Sequence, residues 1–171
     1  MILDKKNIMV DFNGIVIFSY PAIEKYFEGG IKNGQNILKN FIETDLGDKV
    51  IDDGVIIPIT NIDDGSYEVN FIEGCIERQN NRRIIFNNPG FILNVENEIY
   101  VADAAVFWDW EAYLGWEKIN IPIGLYKLTI EGFQNLNKFD EIETIGYDII
   151  LEKVISLPKR TAIMRDNNNL Y

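Results

Sequence analysis

Most of the chain alternates apolar and polar residues in short runs, and this period of two is typical of β-strands with one buried face. In residues 66–74 the side chains of Tyr67, Val69 and Phe71 alternate with polar ones, and residues 125–132 repeat the pattern. Many short strands without long helices between them predict a mainly β fold, an antiparallel β-sandwich. The other predicted strands are at 82–86, 91–95, 98–104 and 146–154, divided by Asn87-Asn88-Pro89-Gly90, Asn97 and a polar loop at 134–144.

Two segments near the start of the chain carry other signals. Asn13-Gly14 lies between two apolar runs, and a two-residue turn of this composition predicts a hairpin that pairs the first two strands. Residues 21–46 predict one or two short helices inserted into the sandwich. An apolar stripe at residues 37–42 indicates the longer helix, and Gly47 is expected to end it.

The alternating pattern stops near the C-terminus. After Pro158 the chain becomes polar and rich in asparagine. We therefore expect residues 1–155 to form a single β-sandwich domain and residues 156–171 to form a loosely ordered tail.

All three tryptophans of the chain lie within residues 107–116. If residues 104–114 form a helix capped by Asp103, Trp108 points away from its buried side, which carries Val106, Phe107, Trp110, Tyr113 and Leu114. If the segment is a strand instead, both Trp108 and Trp110 face the core. Alanine, glutamate and leucine favour the helix, in which Trp108 is exposed beside carboxylates.

Exposed tryptophan beside acidic residues is typical of a protein interface. The candidate partner-binding residues are therefore Trp108, Asp109, Glu111, Trp116 and Glu117. A carbohydrate-binding module normally presents several aromatic rings on one flat face, which the helical arrangement of this segment does not provide.

The composition removes most enzyme classes. The chain contains no histidine, so serine and cysteine hydrolases with a histidine base and most catalytic zinc sites are excluded. No catalytic residue, metal or cofactor is expected. A single cysteine and the lack of a visible secretory signal predict a cytoplasmic protein, and no apolar run approaches the roughly 18 to 20 residues that a membrane span needs.

The net charge of −11, from 16 basic and 27 acidic residues, either indicates the kind of partner or only keeps the protein soluble. It repels nucleic acid and anionic lipid surfaces and attracts a basic protein. Adjacent acids at 52–53, 63–64 and 140–141 precede glycine or lie in loops, where aspartate is favoured for turn geometry.

Four stretches of the chain, residues 50–71, 86–104, 119–133 and 146–154, resemble the competence protein J family. The likeness lies in the order of an Asp-Gly-Val stretch, a Pro-Gly segment before "ENEIYV", the Pro-x-Gly-x-Tyr sequence at 122–126 and a final strand. Relative to that family, residues 21–50 and 104–118 are insertions. The resemblance implies a small β-sandwich inhibitor of a secreted or membrane-associated nuclease.

These observations lead to one functional expectation and two alternatives. We expect an acidic binding protein, without enzymatic activity, that neutralises a basic toxin or nuclease by occluding its active site. The first alternative is a β-sandwich module that binds a carbohydrate or another small molecule. The second is a hydrolase that uses carboxylates alone, since two carboxylic acids suffice for glycoside hydrolysis.

Overall fold

A computed structural model describes residues 1–75, 77 and 79–171, and within them nine strands and a few short helices. The strands are β1 (Ile2–Val10), β2 (Gly14–Tyr20), β3 (Ile56–Thr60), β4 (Gly65–Glu73), β5 (Arg82–Val95), β6 (Glu98–Asp103), β7 (Glu117–Ile119), β8 (Gly124–Leu136) and β9 (Ile142–Val154). The α-helices are α1 (Ile37–Glu43) and α2 (Leu46–Asp52), and 3₁₀ helices span Ala22–Tyr26 and Ala104–Phe107.

The strands form two sheets that pack face to face. The larger sheet has the order β1-β4-β9-β8-β5, and the smaller has the order β3-β2-β6-β7. Strands β4 and β9 run parallel at the centre of the larger sheet, whereas the other paired strands that the structure describes run antiparallel. The predicted mainly β sandwich is confirmed, with this parallel pair as a departure from it.

Strand β2 is buried on both faces, which explains its unbroken apolar sequence. Ile15 and Ile17 belong to the core between the two sheets. Val16 and Phe18 point the other way, into a second core beneath the helices. The helices therefore form a third layer on the outer face of the smaller sheet.

The helical layer differs in detail from its prediction. Helix α1 is present, and the side chain of Asn36 caps it by accepting a hydrogen bond of 3.0 Å from the Lys39 amide. Gly47 does not end this helix but lies in a second one, α2, which the sequence pattern did not predict. A Cβ at Gly47 would lie 2.2 Å from the Phe41 carbonyl oxygen, so glycine is required by the close contact between α1 and α2.

The predicted hairpin at Asn13-Gly14 is wrong. Asn13 does adopt a positive φ of 54°, but β1 pairs with β4 in the larger sheet, and β2 pairs with β3 and β6 in the smaller one. The turn carries the chain from one sheet to the other. Gly14 is needed because a Cβ there would lie 2.9 Å from the Ile59 carbonyl oxygen of β3.

The Asn-Asn-Pro-Gly segment at 87–90 does not divide two strands, as predicted, but lies inside β5. The register shifts between Pro89 and Phe91, and Gly90 has a φ of +94°. Strand β5 is at the edge of its sheet. Proline has no amide proton to donate, and on an edge strand this need not remove a hydrogen bond between strands. The chain can therefore continue as one bulged strand.

Residues 156–171, for which the sequence predicts a loosely ordered tail, contain no helix or strand but contact the sandwich at several points. Leu170 is fully buried in the core between the sheets. The Asn168 side-chain amide donates to the Thr60 carbonyl at the end of β3 over 2.6 Å, and the Ala162 amide donates to the Gly90 carbonyl of β5 over 3.1 Å. The tail thus connects an edge strand of one sheet to an edge strand of the other.

Candidate functional site

Trp108 forms an exposed aromatic pair with Phe12. The Trp108 side chain is 56% exposed, and its ring centroid lies 5.6 Å from that of Phe12. Phe12 is in the turn between β1 and β2, and Trp108 directly follows the second 3₁₀ helix. We use the name Trp108 patch for the exposed pair Phe12 and Trp108 together with the exposed acids next to them in the chain, Asp11, Asp109 and Glu111.

Asp103 holds the two parts of the Trp108 patch together. Its Oδ1 accepts a hydrogen bond of 2.8 Å from the Ala105 amide, which caps the 3₁₀ helix as the sequence predicts. Its Oδ2 accepts one of 2.6 Å from the amide of Asp11. One carboxylate therefore fixes both the turn that carries Phe12 and the helix that positions Trp108.

The segment after Trp108 leaves the helical path. The Trp110 amide donates to the Gln35 carbonyl over 3.1 Å, and the Gly34 amide donates to the Trp110 carbonyl over 2.8 Å. This pairing with the loop before α1 replaces further helical hydrogen bonds, so only Ala104–Phe107 are helical. Trp110 is fully buried while Trp108 is exposed, as the helical alternative predicts.

Trp116 does not belong to the exposed surface where the sequence placed it. It is 8% exposed, and its ring packs against Phe18 and Trp110, each with a centroid distance of 4.9 Å. Phe18 is in the middle of the doubly buried strand β2, so Trp116 is a core residue. Large aromatic side chains of this kind stabilise the layer beneath the helices.

Glu117 is exposed but lies apart from the helical side of the smaller sheet. It begins β7 and pairs with Val101. Side chains alternate along a strand, so Glu117 shares a face with Ile119, which contributes to the core between the sheets. Of the five candidate residues, Trp108, Asp109, Glu111 and Glu117 are exposed and Trp116 is buried.

Sequence reasoning missed Phe12 and Asp11 as members of the Trp108 patch. They lie far from Trp108 in the chain, and the hairpin predicted at their position gave no reason to place them beside it. Tyr113 and Leu114, which the helical alternative places on the buried side, are both exposed. Tyr113 has a positive φ of 70°, which is not helical, and its half-exposed ring packs against Tyr20 and Trp116.

A buried charge cluster occupies the outer face of the larger sheet. Asp148 has no exposed surface; its Oδ1 accepts from the Asn70 side-chain amide over 2.8 Å and its Oδ2 from Arg82 over 2.5 Å. Glu68 lies 3.8 Å from the Arg82 guanidinium and 2.6 Å from the Lys5 ammonium. Burial raises the pKa of Asp148, although the Asn70 hydrogen bond and the Arg82 charge oppose it.

The pKa of Glu68, in the same cluster, moves the opposite way. Burial alone would raise the pKa of Glu68, but hydrogen bonds from Lys5 and Asn70 and the charge of Arg82 outweigh it and lower that pKa. Both oxygens of Asp148 are engaged by protein groups and none of its surface is exposed. This arrangement suits a structural ion pair better than a catalytic acid, which must reach a substrate.

Two adjacent acids that could have suggested carboxylate chemistry have other partners. Asp52 accepts from Arg160 over 2.6 Å, and Asp53 accepts from the Tyr26 hydroxyl over 2.6 Å. Within the described residues no group of three or more cysteine, aspartate or glutamate side chains could hold a metal ion. In the same part of the chain no helix is long and apolar enough to cross a bilayer.

Comparison with known proteins gives one structural likeness. No family model matches the sequence, and no curated protein matches it. The fold is similar to the crystal structure of ComJ from Bacillus subtilis, an inhibitor of the DNA-degrading activity of NucA, with a TM-score of 0.47 and 12% sequence identity. The match covers 90% of this chain and 98% of ComJ.

Proposed function

We propose that this chain is a non-catalytic, acidic binding protein of the cytoplasm that neutralises a basic toxin or nuclease by covering its active site. The observation that carries the proposal is the Trp108 patch: an exposed indole in contact with the Phe12 ring, with the exposed acids Asp11, Asp109 and Glu111 close by in the chain. An aromatic anchor surrounded by charge is the arrangement that dominates binding energy at protein interfaces.

The charge of the whole chain supports the same partner. A nuclease site attracts a polyanion, so a protein with a net charge of −11 is drawn toward it by the same field. The carboxylates of the Trp108 patch would take the place of substrate phosphates, while Trp108 would fill an apolar recess beside the partner's basic residues.

The rings of the exposed surface do not favour the carbohydrate alternative. Phe12 and Trp108 are tilted by 55°, and Tyr113 packs edge-on to Tyr20 at 76°. These rings do not form the flat platform on which a sugar would stack. Charge and ring geometry together therefore support a protein partner.

The test uses the protein encoded by the adjacent open reading frame. Both proteins are purified, and the activity of the neighbour on DNA, RNA or growing cells is measured as this chain is titrated in. The proposal predicts stoichiometric inhibition of a basic neighbour and a stable complex on size-exclusion chromatography. A neighbour that stays fully active in excess of this chain, and does not co-elute with it, contradicts the proposal. So does turnover of a substrate by this chain alone.

A further inference from the structure

An apolar groove of about 530 Å³ lies between the helical pair and the edge of the smaller sheet. Its floor is the outer face of β2 and β3, where Val16 and Ile56 are buried, and its walls come from α1 and α2. The volume falls within the range of about 300 to 1,000 Å³ that ligand sites in proteins occupy. Ile42 in the α1 wall is nevertheless 73% exposed.

The rim of this groove is acidic. Glu43, Asp45 and Asp48 line it, and every charged residue that lines it in the described part of the chain is an acid. These three carboxylates lie at the end of α1 and the start of α2 and are exposed. Glu43 lies 3.9 Å from the Lys39 ammonium and Asp48 lies 3.9 Å from the Arg160 guanidinium, so Asp45 is the rim carboxylate with the weakest competition from cations of this chain. An apolar floor beside these acids matches an apolar side chain flanked by lysine or arginine.

The groove ends close to the Trp108 patch. Thr60 and Ala104 line that end, and a Cβ built on Gly14 would lie 3.4 Å from Thr60 and 3.5 Å from Ala104. Gly14 is two residues from Phe12. Phe107, which also lines the groove, directly precedes Trp108. Chain neighbours of Phe12 and Trp108 therefore lie at this end of the groove.

We propose that the groove receives a segment of the same basic partner, with a leucine- or phenylalanine-sized side chain between lysine or arginine residues. This inference rests on the proposed function, which supplies the partner and its charge. It adds a second contact on the α1–α2 side, so that the partner is held at two adjacent places. Two adjoining contacts restrain the partner's orientation as well as adding affinity.

The probe for the groove is an amidated ten-residue peptide of alternating leucine pairs and lysine pairs, titrated into the full chain and followed by amide NMR shifts. We expect the shifted amides to cluster in α1, α2 and β3. A peptide with glutamate in place of lysine, and one with serine in place of leucine, should each bind about tenfold more weakly. The inference would be overturned if either control peptide bound as tightly as the leucine–lysine peptide, or if the shifted amides lay only in other elements.

Two variants of the chain test the same groove. Ile42→Ser removes an apolar side chain from the α1 wall of the groove. Asp45→Lys reverses a charge at the rim, at a residue whose side chain makes no capping hydrogen bond. Each should weaken peptide binding about tenfold. The matched controls are Ile155→Ser and Glu143→Lys, exposed positions outside the groove, which should bind as the native chain does. Thermal melts check that all four variants fold, since all four side chains are exposed.

The outcomes separate this inference from the proposed function. If Ile42→Ser and Asp45→Lys bind both the peptide and the protein partner as the native chain does, while Trp108→Ala loses the partner, the groove inference fails and the proposed function stands. If Trp108→Ala keeps full affinity for the partner, the proposed function fails whatever the peptide does.

Discussion

The guanidinium of Arg82 donates from Nη1 to Oδ2 of Asp148 over 2.5 Å and joins two residues that are 66 positions apart in the chain. The same guanidinium lies 3.8 Å from the centre of the Phe133 ring. Because this guanidinium is both ion-paired and stacked on a ring, its burial costs less free energy than the burial of an isolated charge. The pair links β5 to β9 across β8, so it connects strands that do not pair directly.

Removing one partner of this ion pair should destabilise the fold strongly. Arg82→Met leaves the Asp148 carboxylate buried without its counter-charge, and we expect the free energy of unfolding to fall by about 3 to 5 kcal/mol. Urea unfolding followed by circular dichroism measures it. Lys153→Met, which changes an exposed cation of β9, is the control and should cost at most about 0.5 kcal/mol. Equal costs for the two variants would mean that the buried pair contributes little.

Alkaline pH should destabilise the protein through its buried tyrosines. Burial raises the pKa of Tyr67 from 10.0 to about 12, and burial also raises the pKa of Tyr147, whose ring stacks on it at 5.6 Å. The unfolded chain releases the Tyr67 proton near pH 10, whereas the folded chain keeps it until about pH 12. The stability that this group contributes is therefore complete below pH 10 and is lost as the pH rises through about 12.

Urea unfolding at a pH below 10 and again near 12 measures this loss, and Tyr67→Phe is the variant to compare. It removes one titrating hydroxyl and should show a smaller fall in unfolding free energy between the two pH values. Its stability at neutral pH should be slightly lower, because the Tyr67 hydroxyl donates to the Asp63 carbonyl over 2.7 Å. Identical falls for the native chain and Tyr67→Phe would contradict the linkage.

The C-terminal tail should contribute to stability through Leu170. Leu170→Ala empties a site in the core between the sheets and should lower the free energy of unfolding by about 2 to 5 kcal/mol. Tyr171→Ala, one residue further and exposed, should cost at most about 0.5 kcal/mol. Thermal or urea unfolding of the pair measures the difference. If both variants are as stable as the native chain, the tail adds nothing to the fold.

Binding of the basic partner should weaken with salt. The screening length falls from about 10 Å at 0.1 M to about 3 Å at 1 M salt, so attraction steered by a charge of −11 should slow association markedly over that range. Surface plasmon resonance at a series of salt concentrations separates association from dissociation rates. An association rate that does not change with salt would favour an uncharged ligand over a basic protein.

Local sequence signals predicted local structure well. The alternation in residues 66–74 and 125–132 corresponds to β4 and β8, and each of these strands begins with Gly-x-Tyr. The Tyr67 hydroxyl donates to the carbonyl four residues earlier over 2.7 Å, and the Tyr126 hydroxyl does the same over 2.7 Å. The cap at Asp103 and the exposure of Trp108 followed equally from nearby residues.

Local sequence signals did not predict the features that depend on contacts between residues far apart in the chain. The turn at Asn13-Gly14 has the residues of a hairpin, but the partners of the flanking strands are decided by the packing of two sheets. The local sequence favours Gly47 as the end of a helix, and only the close contact of α2 with Phe41 explains why a glycine lies inside a helix there. For the same reason the sequence does not predict that Phe12 packs beside Trp108, or that Arg82 pairs with Asp148.

The affinity of the Trp108→Ala variant for the proposed basic partner tests the central claim most directly. Phe139→Ala, which removes an exposed aromatic ring from the 137–141 loop, is the matched control. We predict that Trp108→Ala loses more than about 2 kcal/mol of binding free energy, roughly thirtyfold in Kd, while Phe139→Ala stays within about twofold of the native chain. Equal affinities for the native chain and Trp108→Ala would contradict the account.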